Sequence, residues 1–200
     1  MNVHRDHNHW MARALALARR GEGLTRPNPP VGAVIVRTRR LVHQGYLVGQ
    51  GWHRRAGAPH AEALAIQEAG ARARNATLYV TLEPCCTRGR TPPCTRGIIQ
   101  AGIRRVVLAA RDPNPRHNGR GIAILRKAGI EVIEDVGASE ARQLIAPFTQ
   151  WIRTRRPYLT LKLAVSLDGK IADARGRSRW ITGPAARAQV QAWRRGADAI

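Results

Sequence analysis

Apolar residues recur at helical spacing over residues 10–20, with Met11, Leu15 and Ala18 on one face, and Gly21 and Gly23 close the run. Pro27-Asn28-Pro29-Pro30 reads as an irregular turn, followed by a short β-branched strand over 31–36. Helical patterns over 61–69, 95–101, 121–128 and 139–153 then alternate with strand patterns over 77–82, 105–109 and 131–133. That alternation predicts a three-layer α/β/α domain. Leu41-Val42-His43-Gln44-Gly45-Tyr46 is nearly repeated as Leu47-Val48-Gly49-Gln50-Gly51-Trp52. An even-numbered duplication would lengthen a hairpin without turning its core side outward. The composition breaks at Arg153-Thr154-Arg155-Arg156-Pro157; a strand-like run over 158–165 and a turn at Ser166–Lys170 follow. The remainder is too short to be an independent α/β domain.

Composition narrows the setting. At 200 residues and 44% hydrophobic, the chain suits one good core plus a remainder. No apolar run approaches membrane-spanning length, and the polar residues 1–9 lack the apolar centre of a signal peptide, so a cytoplasmic protein with no membrane partner is expected. His4, His7 and His9 read as part of a frayed terminus. A net charge of +21 would ordinarily point to nucleic acid. Here the charge is spread along the chain and nearly all arginine, and aromatics for stacking bases make up only 4%. A small phosphorylated substrate would need few of these groups, and no nucleic-acid partner is expected.

The chemistry lies in one ordered set. Cys85, Cys86 and Cys94 are the only cysteines, and two are adjacent, so clustered thiols point to metal rather than to a disulfide framework. With His60-Ala61-Glu62 and Pro84-Cys85 they offer an imidazole, two thiolates and a neighbouring carboxylate. His60, Cys85 and Cys94 as three zinc ligands with an open fourth position, and Glu62 as uncoordinated proton carrier, form the set that zinc deaminases use. Glu62 must lie close to the metal yet unbound, since a ligating carboxylate cannot shuttle protons. Cys86 is a rival ligand; Cys85 is favoured because it follows Pro84 directly, as in the deaminase signature.

With Pro27-Asn28-Pro29 and VGAVIV, GWHRRAGAPHAE, YVTLEPC, GRTPPC, and RDPNP followed by GRG, the chain resembles the bifunctional riboflavin-biosynthesis family, a pyrimidine deaminase fused to a reductase. Eight residues separate Cys85 from Cys94, where editing and nucleoside deaminases usually show P-C-x-x-C. The resemblance implies a cytidine-deaminase-like α/β/α domain with a mixed sheet over residues 1–153, holding one zinc ion per chain. It implies hydrolytic deamination of 2,5-diamino-6-ribosylamino-4(3H)-pyrimidinone 5′-phosphate to 5-amino-6-(5-phosphoribosylamino)uracil and ammonia. Asn28 and His53 match positions near the pyrimidine, Arg90 a basic position of the cysteine loop, and Asp112 and Asn114 positions that handle the ribose phosphate. On the residues alone, Asp112-Pro113-Asn114-Pro115 also fits ordinary turn chemistry, His53 a half-buried strand histidine, and Arg90 a solvated cation. Family members form homo-oligomers.

Residues 157–200, through PYLTLKLAVSLDGKIA and SRWITG, resemble the opening of a dihydrofolate-reductase-like, NADPH-dependent domain. By position Ala164 and Trp180 would meet NADPH, and Ser178 and Arg194 the substrate. The chain stops at Ala199-Ile200, before most of such a domain, so it is read as truncated there and no reductase activity is expected from it alone. Its first strand and apolar residues should be left partly unpaired. One departure concerns the zinc loop: members usually carry Ser or Asn and then His after the first metal cysteine, where Cys86 and Thr87 stand here. Two other readings compete. A nucleic-acid deaminase is favoured by charge but opposed by the long cysteine loop. A non-enzymatic basic module with structural zinc would need a fourth protein ligand, His53 or Cys86.

Overall fold

The computed structural model describes residues 3–38 and 45–200. The chain divides into two compact units, Met1–Pro157 and Tyr158–Ile200.

The first unit is built on a five-stranded sheet of order β2-β1-β3-β4-β5. Its strands are β1 (Gly32–Thr38), β2 (Gly45–Trp52), β3 (Thr77–Leu82), β4 (Arg105–Ala110) and β5 (Glu131–Ile133). β1 runs antiparallel to both β2 and β3, whereas β3, β4 and β5 are parallel, so the sheet is mixed. Side chains alternate along each strand, so each strand feeds two cores. On one face Ala33, Ile35, Leu78, Val80, Val106 and Leu108 pack with α2 (Ala61–Ala69), α3 (Cys94–Gln100) and α4 (Arg120–Lys127). On the other, Val34, Val36, Tyr79, Val107 and Ala109 pack with α1 (Val3–Arg19) and Ala141 of α5 (Ala138–Leu144). These are the three layers expected from the alternation of elements, and Met11, Leu15 and Ala18 form the buried face of α1 as the periodicity required.

Four elements differ from the sequence reading. α1 starts well before residue 10, and His7 belongs to it; the side chain is buried, with Nδ1 2.9 Å from the Tyr79 hydroxyl. The helix predicted over 139–153 is two helices, α5 and α6 (Ala146–Thr154), separated at Ile145. Pro147 stands in the first turn of α6, where its missing N–H costs nothing, but it could not have continued α5. β2 runs through Gly49 and Gly51 because helix α2 lies directly on them, and through Gly45 where Trp10 and Val36 close in. A Cβ at Gly49 would stand 2.2 Å from the Ala65 carbonyl oxygen, and one at Gly51 2.5 Å from that of Ala61. The second copy of the near-repeat lies in β2; Leu41–Gln44 of the first copy fall outside the described residues.

The fourth difference lies in the second unit. Its helix is α7 (Pro184–Arg195), begun by proline at its first position. The strand-like run over 158–165 pairs with nothing among the described residues, and Leu159 and Leu161 are 85% and 83% exposed. Alternation alone does not make a strand, since each N–H and C=O needs a neighbouring strand to complete the ladder. The apolar residues there are left unpaired, as the sequence led us to expect. Among the described residues no helix is long and apolar enough to cross a membrane.

Candidate metal centre and active site

His60 precedes α2, Cys85 follows β3 by two residues, and Cys94 begins α3, so three different segments deliver one donor each. One donor atom from each lies within 4.8 Å of the other two. His60 Nδ1 is 3.2 Å from Cys94 Sγ and 3.6 Å from Cys85 Sγ. A tetrahedral zinc with ordinary Zn–S and Zn–N bonds places nitrogen and sulfur about 3.6 Å apart, so the donor set fits the ion. The Cys94 amide donates to Cys85 Sγ at 3.3 Å. Thr91 Oγ1 lies 3.3 Å from His60 Nε2, so a bond donated by Nε2–H to this hydroxyl would free the Nδ1 lone pair for a metal. Thr91 was not singled out from sequence, where it is one more loop residue in GRTPPC.

The electrostatics of the metal-free set show what a cation would relieve. A hydrogen bond from Cys94 is the main cause that pulls the Cys85 thiol down to about 4, with His60 adding to it against burial. The same bond, followed by burial, pushes the Cys94 thiol up. His60 is raised by its hydrogen bond with Cys85. Glu62 is 4% exposed; burial first, then the negative field of Cys85, push its carboxyl up to about 7. A carboxyl that titrates near neutrality can both take and give a proton at working pH.

Around this set the substrate residues expected from sequence fall into two groups. His53 Nδ1–H donates to the Pro59 carbonyl at 3.3 Å, leaving Nε2 to accept from Asn28 Nδ2 at 3.2 Å. Burial, then the neighbouring His60, lower its pKa despite the Pro59 bond, which favours the uncharged ring. Its ring meets His60 edge to face with centroids 5.2 Å apart, so Asn28 and His53 stand directly beside the donor set. Arg90 is exposed, its side chain lying beside Gly57.

Asp112 and Asn114 occupy the loop after β4. Asp112 is buried and its carboxyl is raised mainly by burial; Oδ1 accepts from the Asn114 amide at 2.9 Å. Asn114 Oδ1 accepts from the Arg116 amide at 3.1 Å, so each side chain also shapes the turn. Two residues of this neighbourhood escaped the sequence reading. Glu83 is 3% exposed, and its carboxylate accepts from four backbone amides. His117 places Nδ1 3.6 Å from Cys86 Sγ and Nε2 3.4 Å from Thr87 Oγ1. Neither Cys86 nor His53 joins the three-donor group among the described residues.

In the second unit a hollow of about 630 Å³ is lined by Ser178 and Trp180 with Asp168, Lys170, Asp173 and Arg177 among others. Ala164 and Arg194 do not line it.

The fold and the three-donor centre define a zinc deaminase, and the chain belongs to the cytidine and deoxycytidylate deaminase zinc-binding family, which matches residues 4–110. Within that class its likeness is to the riboflavin biosynthesis protein RibD. It is 51% identical to the Aquifex aeolicus protein over 96% of this chain and 52% of that one, and 52% identical to the Escherichia coli protein over 96% and 51%. Residues 157–200 match the RibD C-terminal domain. Among solved structures, Acinetobacter baumannii RibD aligns with a TM-score of 0.84 and 47% identity, covering 97% of this chain and 53% of that one. A Thermotoga maritima diaminohydroxyphosphoribosylaminopyrimidine deaminase/5-amino-6-(5-phosphoribosylamino)uracil reductase aligns with a TM-score of 0.85 and 45% identity, covering 96% and 54%. The chain spans about half the length of the curated relatives it matches.

Proposed function

We propose that residues 1–153 form a deaminase domain that hydrolyses 2,5-diamino-6-ribosylamino-4(3H)-pyrimidinone 5′-phosphate to 5-amino-6-(5-phosphoribosylamino)uracil and ammonia, a step of riboflavin biosynthesis. The observation that carries this reading is a buried Glu62 carboxyl beside a donor set that no fourth His, Cys, Asp or Glu closes among the described residues. A structural zinc needs that fourth ligand. The two side chains available for it are engaged elsewhere, Cys86 with His117 and His53 with Asn28 and Pro59.

In this reading His60, Cys85 and Cys94 hold the zinc, which supplies the Lewis acidity that makes water a nucleophile at neutral pH. Glu62 takes the proton from the attacking water and gives it to the ring nitrogen beside the amino-bearing carbon. It then takes the remaining proton of the added hydroxyl and delivers it to the departing amine, so that one water is consumed, a C=O replaces the C–NH₂, and ammonia leaves. Asn28 and the neutral His53 orient the pyrimidine, Arg90 supplies positive charge from the cysteine loop, and Asp112 and Asn114 bind the ribose phosphate. Residues 157–200 are read as the opening of an NADPH-dependent reductase domain in which Ala164 and Trp180 meet NADPH and Ser178 and Arg194 meet the substrate. None of the residues 158–200 is buried. Three free thiols suit a cytoplasmic setting, and homo-oligomers follow the resemblance.

Incubating zinc-loaded protein with the aminopyrimidine phosphate should release one ammonia per substrate. Release only from an RNA substrate would replace this reading with a nucleic-acid deaminase, and no release from either would leave a binding module.

A further inference from the structure

Cys85 is flanked on both sides by residues that grip one loop, and neither grip serves the metal. On one side the Glu83 carboxylate accepts from the amides of Gly119 and Asp112 through Oε2, at 2.9 and 3.2 Å, and from Gly121 and Ile122 through Oε1, at 2.9 and 3.3 Å. These amides mark the start of the Asp112–Gly119 loop and the first turn of α4. Hydrogen bonds to an ionised acceptor are the strong ones, and a carboxylate buried this deeply is tolerated because its lone pairs are filled. Packing gives a second, independent sign of the same docking. A Cβ on Gly121 would stand 2.3 Å from the Pro84 carbonyl oxygen and 3.1 Å from Glu83 Oε1, so α4 begins in backbone contact with the residues leading to Cys85. On the other side of Cys85, the Cys86 and Thr87 side chains meet His117 from the far end of the same loop.

The geometry points to Glu83 as a positioning residue, the main clasp that registers the Asp112–His117 loop against Cys85 so that metal and loop are held as one piece. The segment between the two grips is the one that carries Asp112 and Asn114. The consequence for catalysis rests on the function proposed above; the clasp itself is read independently of it. Glu83→Gln keeps the shape, but its one carbonyl oxygen can serve only one of the two amide pairs while its N–H₂ faces the other, so either the two ends of the loop or the first turn of α4 is released. In zinc-loaded E83Q, amide exchange at one of the two pairs, Asp112 with Gly119 or Gly121 with Ile122, should accelerate by at least about tenfold while β3 and α3 exchange as in the parent. Zinc should remain at one per chain, and KM for the aminopyrimidine phosphate should rise about tenfold with kcat within about threefold. Gly121→Ala, which leaves the carboxylate intact and pushes α4 off Pro84, should move the same amides and KM in the same direction. Unchanged exchange in both variants overturns the clasp. So does loss of zinc, or a fall in kcat with KM unchanged, either of which would make Glu83 a support for the ligand Cys85 rather than for the loop. If the parent protein releases no ammonia, the proposed function fails while the exchange measurement still decides the clasp.

Discussion

Residues 106–110 and 159–163 are both strand-like stretches rich in β-branched and aliphatic residues, yet Leu108 is fully buried and Leu161 is 83% exposed. The difference lies in the neighbours. β4 is flanked by β3 and β5 and covered on both faces, so its apolar pattern and its backbone groups are satisfied together. The run over 158–165 has the pattern without the ladder. An apolar pattern states which side chains want cover; whether a strand results depends on what lies beside it.

The largest expected effect separates the two units by chemistry. Glu62→Gln should lower the deamination rate about 10³-fold with zinc content unchanged, whereas Leu161→Ser should leave deamination as it is. Full activity of the Glu62 variant would sink the assignment of catalysis to the first unit. Next comes stability. Leu108→Ala should cost about 2–5 kcal/mol in urea unfolding, while Leu161→Ala should stay within about 0.5 kcal/mol, and equal costs would erase the contrast. A third effect depends on pH. In the metal-free protein the Glu62 carboxyl is raised from 4.5 to about 7, so the folded state holds its proton more tightly than the unfolded chain. The associated stability is full below pH 4.5 and lost as pH rises through 7, amounting to about 3 kcal/mol. Metal-free Glu62→Gln should therefore gain on the parent at pH 8 and not at pH 4, as measured by paired denaturation curves. The smallest expected effect is a silence: Cys86→Ser should keep its zinc while Cys85→Ser loses it, and the reverse result would exchange the two as ligands.

The sequence was most legible where residue identity and chemistry coincide. His60, Glu62, Cys85 and Cys94 are rare types in a fixed order, and the fold does bring the three donors together. Helices and strands with clean periodicity were equally plain. β2 was harder, since its glycines look like turn residues until α2 is seen resting on Gly49 and Gly51. His7 read as terminal because nothing local says that Tyr79, far along the chain, will meet it. Glu83 left no trace either: its partners are backbone amides, which every residue but proline owns, so no pattern of side chains could announce it. His117 is similar, since only the folded loop places it against Cys86 and Thr87.

The glycines of β2 carry a consequence for how this protein can vary. α2 begins at Ala61, one residue after the candidate ligand His60, and its carbonyls at 61 and 65 rest where side chains at 51 and 49 would have to go. A single added methyl at either position would lift the helix, and with it the imidazole. A library that spared every polar residue near the zinc but randomised this plain strand would therefore lose the enzyme at two positions that carry no chemistry at all.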